Sequence, residues 1–182
     1  MVNSLKKLLF SNTTLKIDES KLDFLVVEKF KSRLDILEVL YEWILIPDKH
    51  YLNKLLKIKP EIDKIQSTTL PKILYRGYSS SPGSIQDQMG SKYLQVNDTF
   101  KYRLVNPISF TAELKIAQSF GNVVITYVTD KDIAKQSIYL TDEICYCICK
   151  KIINSEPETQ KEVIIFPNGK IKEITCTILK IK

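Results

Sequence analysis

Apolar runs long enough to span a membrane are missing from this chain of 182 residues, so no transmembrane helix is expected. The first residues lack the apolar core of a secretory signal, and residues 1–10 read as a helix turn or a docking tail. Histidine occurs once and no Cys-x-x-Cys pair exists, so no metal site is expected. Glycine is scarce, at five residues, and no low-complexity segment appears. No long block of like charge occurs either, although the net charge is +6. That charge suits acidic partners, nucleic acid among them. Spread along the chain as it is, it reads first as solubility.

What is present is an ordinary share of apolar residues, enough for a full core in one domain over residues 1–182. The expected fold class is α+β, with a helical subregion at 1–66 and a β-rich core at 67–182. Cys145, Cys147 and Cys149 alternate, and on a strand all three would face one way. Together with Cys176 they read as reduced thiols acting as small core hydrophobes, which implies a cytoplasmic setting.

Ser20 reads as the cap of a helix whose apolar residues are Leu22, Leu25, Val26, Phe30, Leu34, Leu37, Tyr41 and Ile44. Leu40 and Trp43 widen that stripe, Asp23 favours the N-terminal end, and Pro47 closes the helix. Asp48 is the cap of a second helix, which Pro60 ends, with His50 on its surface. A third, short helix is expected at 61–66 and a connector at 67–71. Beyond it the apolar runs shorten. Strands are expected at 72–77, 99–104, 107–111, 122–129, 144–153 and 171–178. Thr111 starts and Gly121 stops a helix at 112–121, and 130–136 is a polar or helical turn. Residues 78–90 read as a mobile loop, and Asn168-Gly169 as a hairpin turn.

Three stretches carry polar groups suited to chemistry. Arg76 ends a strand and is followed by Gly77. Its planar, permanently charged guanidinium can bind two oxygens of a diphosphate, and the glycine permits a close backbone approach. Ser109 and Thr111 share one side of a strand. Glu162 stands where the polar loop 154–161 becomes the apolar run 163–166, with Gln160 two residues earlier, on the same side of an extended segment. Each feature also has an ordinary reading, as a solvated arginine, a helix cap and a charged residue at a strand mouth. Lys101 and Arg103 line the polar side of 99–104, which is either a basic-aromatic surface or a plain amphipathic strand.

Leu74-Tyr75-Arg76-Gly77, then Ile108-Ser109-Phe110-Thr111 with Ala117-x-x-Phe120, then Gln160-Lys161-Glu162-Val163 resembles one known pattern. It is the Arg…Ser-x-Thr/Ser…Gln/Glu-x-Glu series of the cholera-toxin-like mono-ADP-ribosyltransferases, nearest to the small intracellular enzymes of phages and bacterial toxins. The resemblance covers about residues 70–178. It implies a split β-sheet core and NAD as substrate. Arg76 would hold the pyrophosphate, with Gly77, Ser109, Phe110, Thr111 and Phe120 also lining the dinucleotide. Ser109 would orient Glu162, and Glu162 would stabilise the oxocarbenium-like ribose and hold a ribose hydroxyl. Arginine-modifying members carry a carboxylate where this chain has Gln160, so the resemblance implies another acceptor. That acceptor would be a different protein side chain, or RNA or DNA. An intracellular toxin of this kind implies an inhibitory antitoxin protein and no membrane partner. Two other readings fit the same residues: NAD hydrolysis with water as acceptor, and a non-catalytic module binding nucleic acid or protein.

Overall fold

A computed structural model describes residues 14–67, 69–78, 95–167 and 171–181. The expected tail at 1–10, the loop after Tyr78 up to residue 90 and the Asn168-Gly169 turn lie outside those residues. In chain order the first elements are β1 (Leu15–Lys16), α1 (Phe24–Lys31), α2 (Leu34–Leu45), α3 (Leu52–Ile65), β2 (Ile73–Tyr78), β3 (Thr99–Arg103) and β4 (Ile108–Thr111). Then come α4 (Leu114–Ser119), β5 (Val123–Val128), α5 (Lys131–Ala134), β6 (Ser137–Tyr139) and α6 (Asp142–Cys147). A π-helical turn at Ile148–Ile153, β7 (Glu158–Thr159), β8 (Glu162–Ile165) and β9 (Glu173–Ile181) complete the described chain. The class is α+β, as expected, and no described helix is long and apolar enough to cross a membrane.

The chain divides into two compact units, one of Met1–Thr68 with Tyr139–Glu162, the other of Thr69–Ile138 with Val163–Lys182. The first is helical, with β1 and β7 pairing as a small antiparallel ladder. The single long helix expected after Ser20 is two. Asp23, not Ser20, caps α1 by accepting from the N–H groups of Leu25 and Val26. Ser32 then donates its hydroxyl to the Lys29 carbonyl, and Arg33 its N–H to Phe30, which ends α1. The break resets the phase. Val27 and Phe30 are buried in α1 and Ile36, Leu37, Leu40 and Trp43 in α2, while Leu25 and Leu34 face solvent.

At Pro60 the opposite happens, because α3 runs through the residue expected to end it. Leu55, Ile58 and Ile62 bury one stripe on both sides of the proline. That continuous face outweighs the one backbone hydrogen bond proline cannot donate. The cysteine-bearing segment also departs from expectation, being helical rather than a strand. Ile144, Cys145, Ile148 and Cys149 are buried at helical spacing, a period hidden inside the alternation of the cysteines. Asp142 and Glu143 charge its first turn favourably, and Glu143 accepts from the Asp23 N–H.

All four cysteines are free and buried, in keeping with core thiols. Burial pushes Cys145 and Cys176 up to about 12 and Cys147 up to about 11. A thiol-disulfide reagent at about pH 8 is therefore expected to spare the folded chain and titrate all four groups after denaturation. Rapid labelling of the native protein would contradict this burial.

The second unit is built on a sheet of order β3-β9-β5-β2-β4-β8-β6. Antiparallel registers join β2 to β4 and β5, and β9 to β3 and β5. Leu74 opposes Tyr127, Arg76 opposes Ile125, and Tyr127 and Ile125 oppose Cys176 and Ile178. These residues therefore share one face, and apart from Arg76 it is a buried apolar one. The helix expected at 112–121 is shorter, Leu114–Ser119, and Glu113 stands at its cap. Thr111 accepts from the Glu113 N–H just ahead of it, fixing the turn from β4 into α4.

Candidate active site

Arg76 and Ser109 come from distant stretches, yet they ride on β2 and β4, neighbours in the sheet. Arg76 and Ser109 belong to the second unit. There the Arg76 guanidinium donates through Nη1 to the Ser109 carbonyl oxygen. The structure thus joins Arg76 to the serine's backbone. The pairing of Tyr75 with Thr111 puts the Ser109 and Thr111 side chains on the face of Tyr75, opposite to Arg76. Phe110 lies on the Arg76 face, its ring centroid 6.2 Å from that of Tyr127.

The Arg76 guanidinium carbon lies 5.0 Å from the centroid of the Tyr78 ring. Among the described residues, Arg76 Nε and the Tyr78 hydroxyl are buried without a hydrogen-bond partner. Burial raises the Tyr78 hydroxyl above its ordinary range, partly offset by the Arg76 charge, so it stays protonated and able to donate. A guanidinium N–H left unmatched is a donor suited to an anionic oxygen.

Gly77 has a different neighbour from the one expected. A Cβ placed there would lie 1.9 Å from the Ala117 carbonyl oxygen and 3.1 Å from Phe120 Cβ. The close approach that this glycine permits is that of α4, so Gly77, Ala117 and Phe120 form a packing motif. Ala117 is fully buried, while 53% of Phe120 is exposed.

Glu162 and Gln160 belong to the first unit. The expectation that they share a side rested on an extended backbone. Lys161 between them has a φ of 50°, so strand alternation does not run through this step. The bend is held by Thr159, whose hydroxyl accepts from the Lys161 N–H, and by an ion pair between Lys161 and Asp142. Gln160 and Glu162 nevertheless line one hollow of about 20 Å3, together with Thr159, Leu140, Cys145 and Ile148.

Glu162 is 9% exposed, and its Oε1 accepts from the Trp43 indole Nε1–H at 2.9 Å. The sequence reading took Trp43 only as a core residue. The available signal was that a buried indole needs an acceptor, but no spacing rule points from Trp43 to Glu162. No protein-family model, curated protein or solved structure matches the chain.

On β3, Lys101 and Arg103 are exposed, as the alternation predicted, and Lys101 donates to the Thr175 hydroxyl at 2.8 Å. β3 is an edge strand, where lysine also discourages pairing with other chains.

Proposed function

We propose that the protein is a NAD-dependent mono-ADP-ribosyltransferase acting on a macromolecular acceptor other than arginine, of the kind used as a toxin or phage effector. The observation that carries this reading lies in the second unit, where the Arg76 guanidinium is tied to the Ser109 carbonyl on the neighbouring strand and keeps a buried Nε without a partner. On this reading the sheet is the core of an ADP-ribosyltransferase fold. The unmatched Arg76 Nε fits a pyrophosphate oxygen.

The reaction breaks the bond between nicotinamide and ribose, the electron pair leaving with nicotinamide, and joins the ribose carbon to a nucleophile on the acceptor. Glu162 holds a negative charge beneath the ribose as positive charge develops, and accepts from a ribose hydroxyl. Its burial strengthens that interaction by excluding water. Arg76 holds the diphosphate, and Ser109 anchors Arg76 through its carbonyl. Gln160, two residues before Glu162, orients the acceptor by hydrogen bonds. It cannot pair with a guanidinium as a carboxylate does, which is why arginine is excluded. The net charge of +6 suits RNA or DNA as acceptor.

The test is to incubate purified protein with NAD labelled in the adenosine half, a cell lysate and a free arginine analogue, then divide the product between protease and nuclease. Label lost to one treatment assigns the acceptor class, and the arginine analogue stays unlabelled. Nicotinamide release that is indifferent to any acceptor would mean hydrolysis, and no release at all would leave a binding module. Replacing Arg76 with Lys is expected to raise KM for NAD about tenfold or more with a smaller change in kcat, because one point charge replaces a fork. Steady-state kinetics check this, and an unchanged KM would remove Arg76 from the site.

A further inference from the structure

The helical unit contains a buried polar contact between side chains distant in sequence. Trp43, on α2, is 1% exposed, and its indole N–H points at the 9% exposed carboxylate of Glu162. A buried indole N–H must find an acceptor, and a buried carboxylate must find donors, or each costs free energy. Trp43 is itself seated by Tyr51, whose ring meets it edge-on at 6.3 Å, and Tyr51 lies beneath Lys54 at 4.9 Å. Lys54 in turn pairs with Glu42, the residue before Trp43, at 2.8 Å. The indole is thus fixed from α2, α3 and the turn between them.

We infer that Trp43 is a positioning residue for the Glu162 carboxylate: its indole N–H sets the rotamer of the glutamate. The inference rests on the proposed NAD reaction for its consequence in catalysis, but not for the bond itself. It also gives the helical segment before the sheet a task. Those helices carry the donor that aims the acid. Loss of the donor lets the carboxylate turn without removing it, so the cost falls on the chemical step rather than on NAD binding.

Trp43 is the sole tryptophan, so its indole N–H gives one unambiguous signal in a proton–nitrogen correlation spectrum of the full chain. The expected result is a side-chain resonance that titrates with pH in the wild type and loses that titration in Glu162→Gln. A pH-independent resonance, or one unmoved by Glu162→Gln, overturns the inference whatever the activity. In kinetics, Trp43→Phe keeps a ring but removes the donor. It is expected to lower kcat for nicotinamide release about 10²-fold with little change in KM. Unchanged kcat in a folded Trp43→Phe protein overturns the inference. If wild-type protein releases no nicotinamide while the indole resonance tracks Glu162, the NAD reading fails and the positioning bond stands.

Discussion

Glu162→Gln is expected to lower nicotinamide release from NAD by about 10³-fold or more while leaving the protein folded. The substitution keeps the shape of the side chain and an oxygen that can accept from the Trp43 indole. What it removes is the negative charge. In a buried, poorly hydrated position such a charge acts on a developing cation far more strongly than in water. A thousandfold loss corresponds to about 4 kcal/mol of transition-state stabilisation, within the range of single electrostatic groups in active sites. Nicotinamide release and thermal unfolding measured on one preparation separate chemistry from folding. Retention of more than about a tenth of the wild-type rate by the folded variant would remove Glu162 from the chemistry. On the proposed function both hydrolysis and transfer need this carboxylate, so the result bears on each.

Gly77→Ala is expected to destabilise the second unit strongly. The new methyl would meet the Ala117 carbonyl oxygen at 1.9 Å, well inside contact distance. That atom is backbone, so no rotamer change relieves the clash, and β2 or α4 must move. Overpacking of this kind costs about 3 kcal/mol, or about 10 °C in unfolding midpoint for a chain of this size. Urea unfolding should show a lower midpoint with an unchanged slope. A loss below about 1 kcal/mol would mean that α4 does not press on β2 as the structure has it. Ala117→Gly would not rescue the variant, because the obstructing oxygen remains.

How far the site was legible in the sequence differs from residue to residue. Arg76 and Ser109 are legible as candidates because each stands in a recognisable strand context, and the strands expected at 72–77 and 107–111 are there. Gly77 was found for the wrong neighbour. A glycine beside an arginine suggested a ligand, whereas the atom that needs the space is a carbonyl of α4, a helix some 40 residues onward. Gln160 and Glu162 reach one hollow, but by a bend at Lys161 rather than by strand parity. Trp43 was missed as a polar partner because the glutamate it touches lies 119 residues away.

The amino-acid sequence alone determined the α+β class, the alternation that makes β3 and β9 strands, the apolar run that makes β5, and the polar residues available for chemistry. Each of these follows from short-range periodicity and side-chain type. Only the tertiary structure decided that α1 and α2 are separate, that α3 continues through Pro60, and that the cysteine segment is helical. The same holds for the neighbouring of β2 and β4 and for the bond from Trp43 to Glu162. The reason is physical. Local propensity is a weak preference, and burial against distant residues, which a one-dimensional pattern does not encode, overrides it in each of these segments.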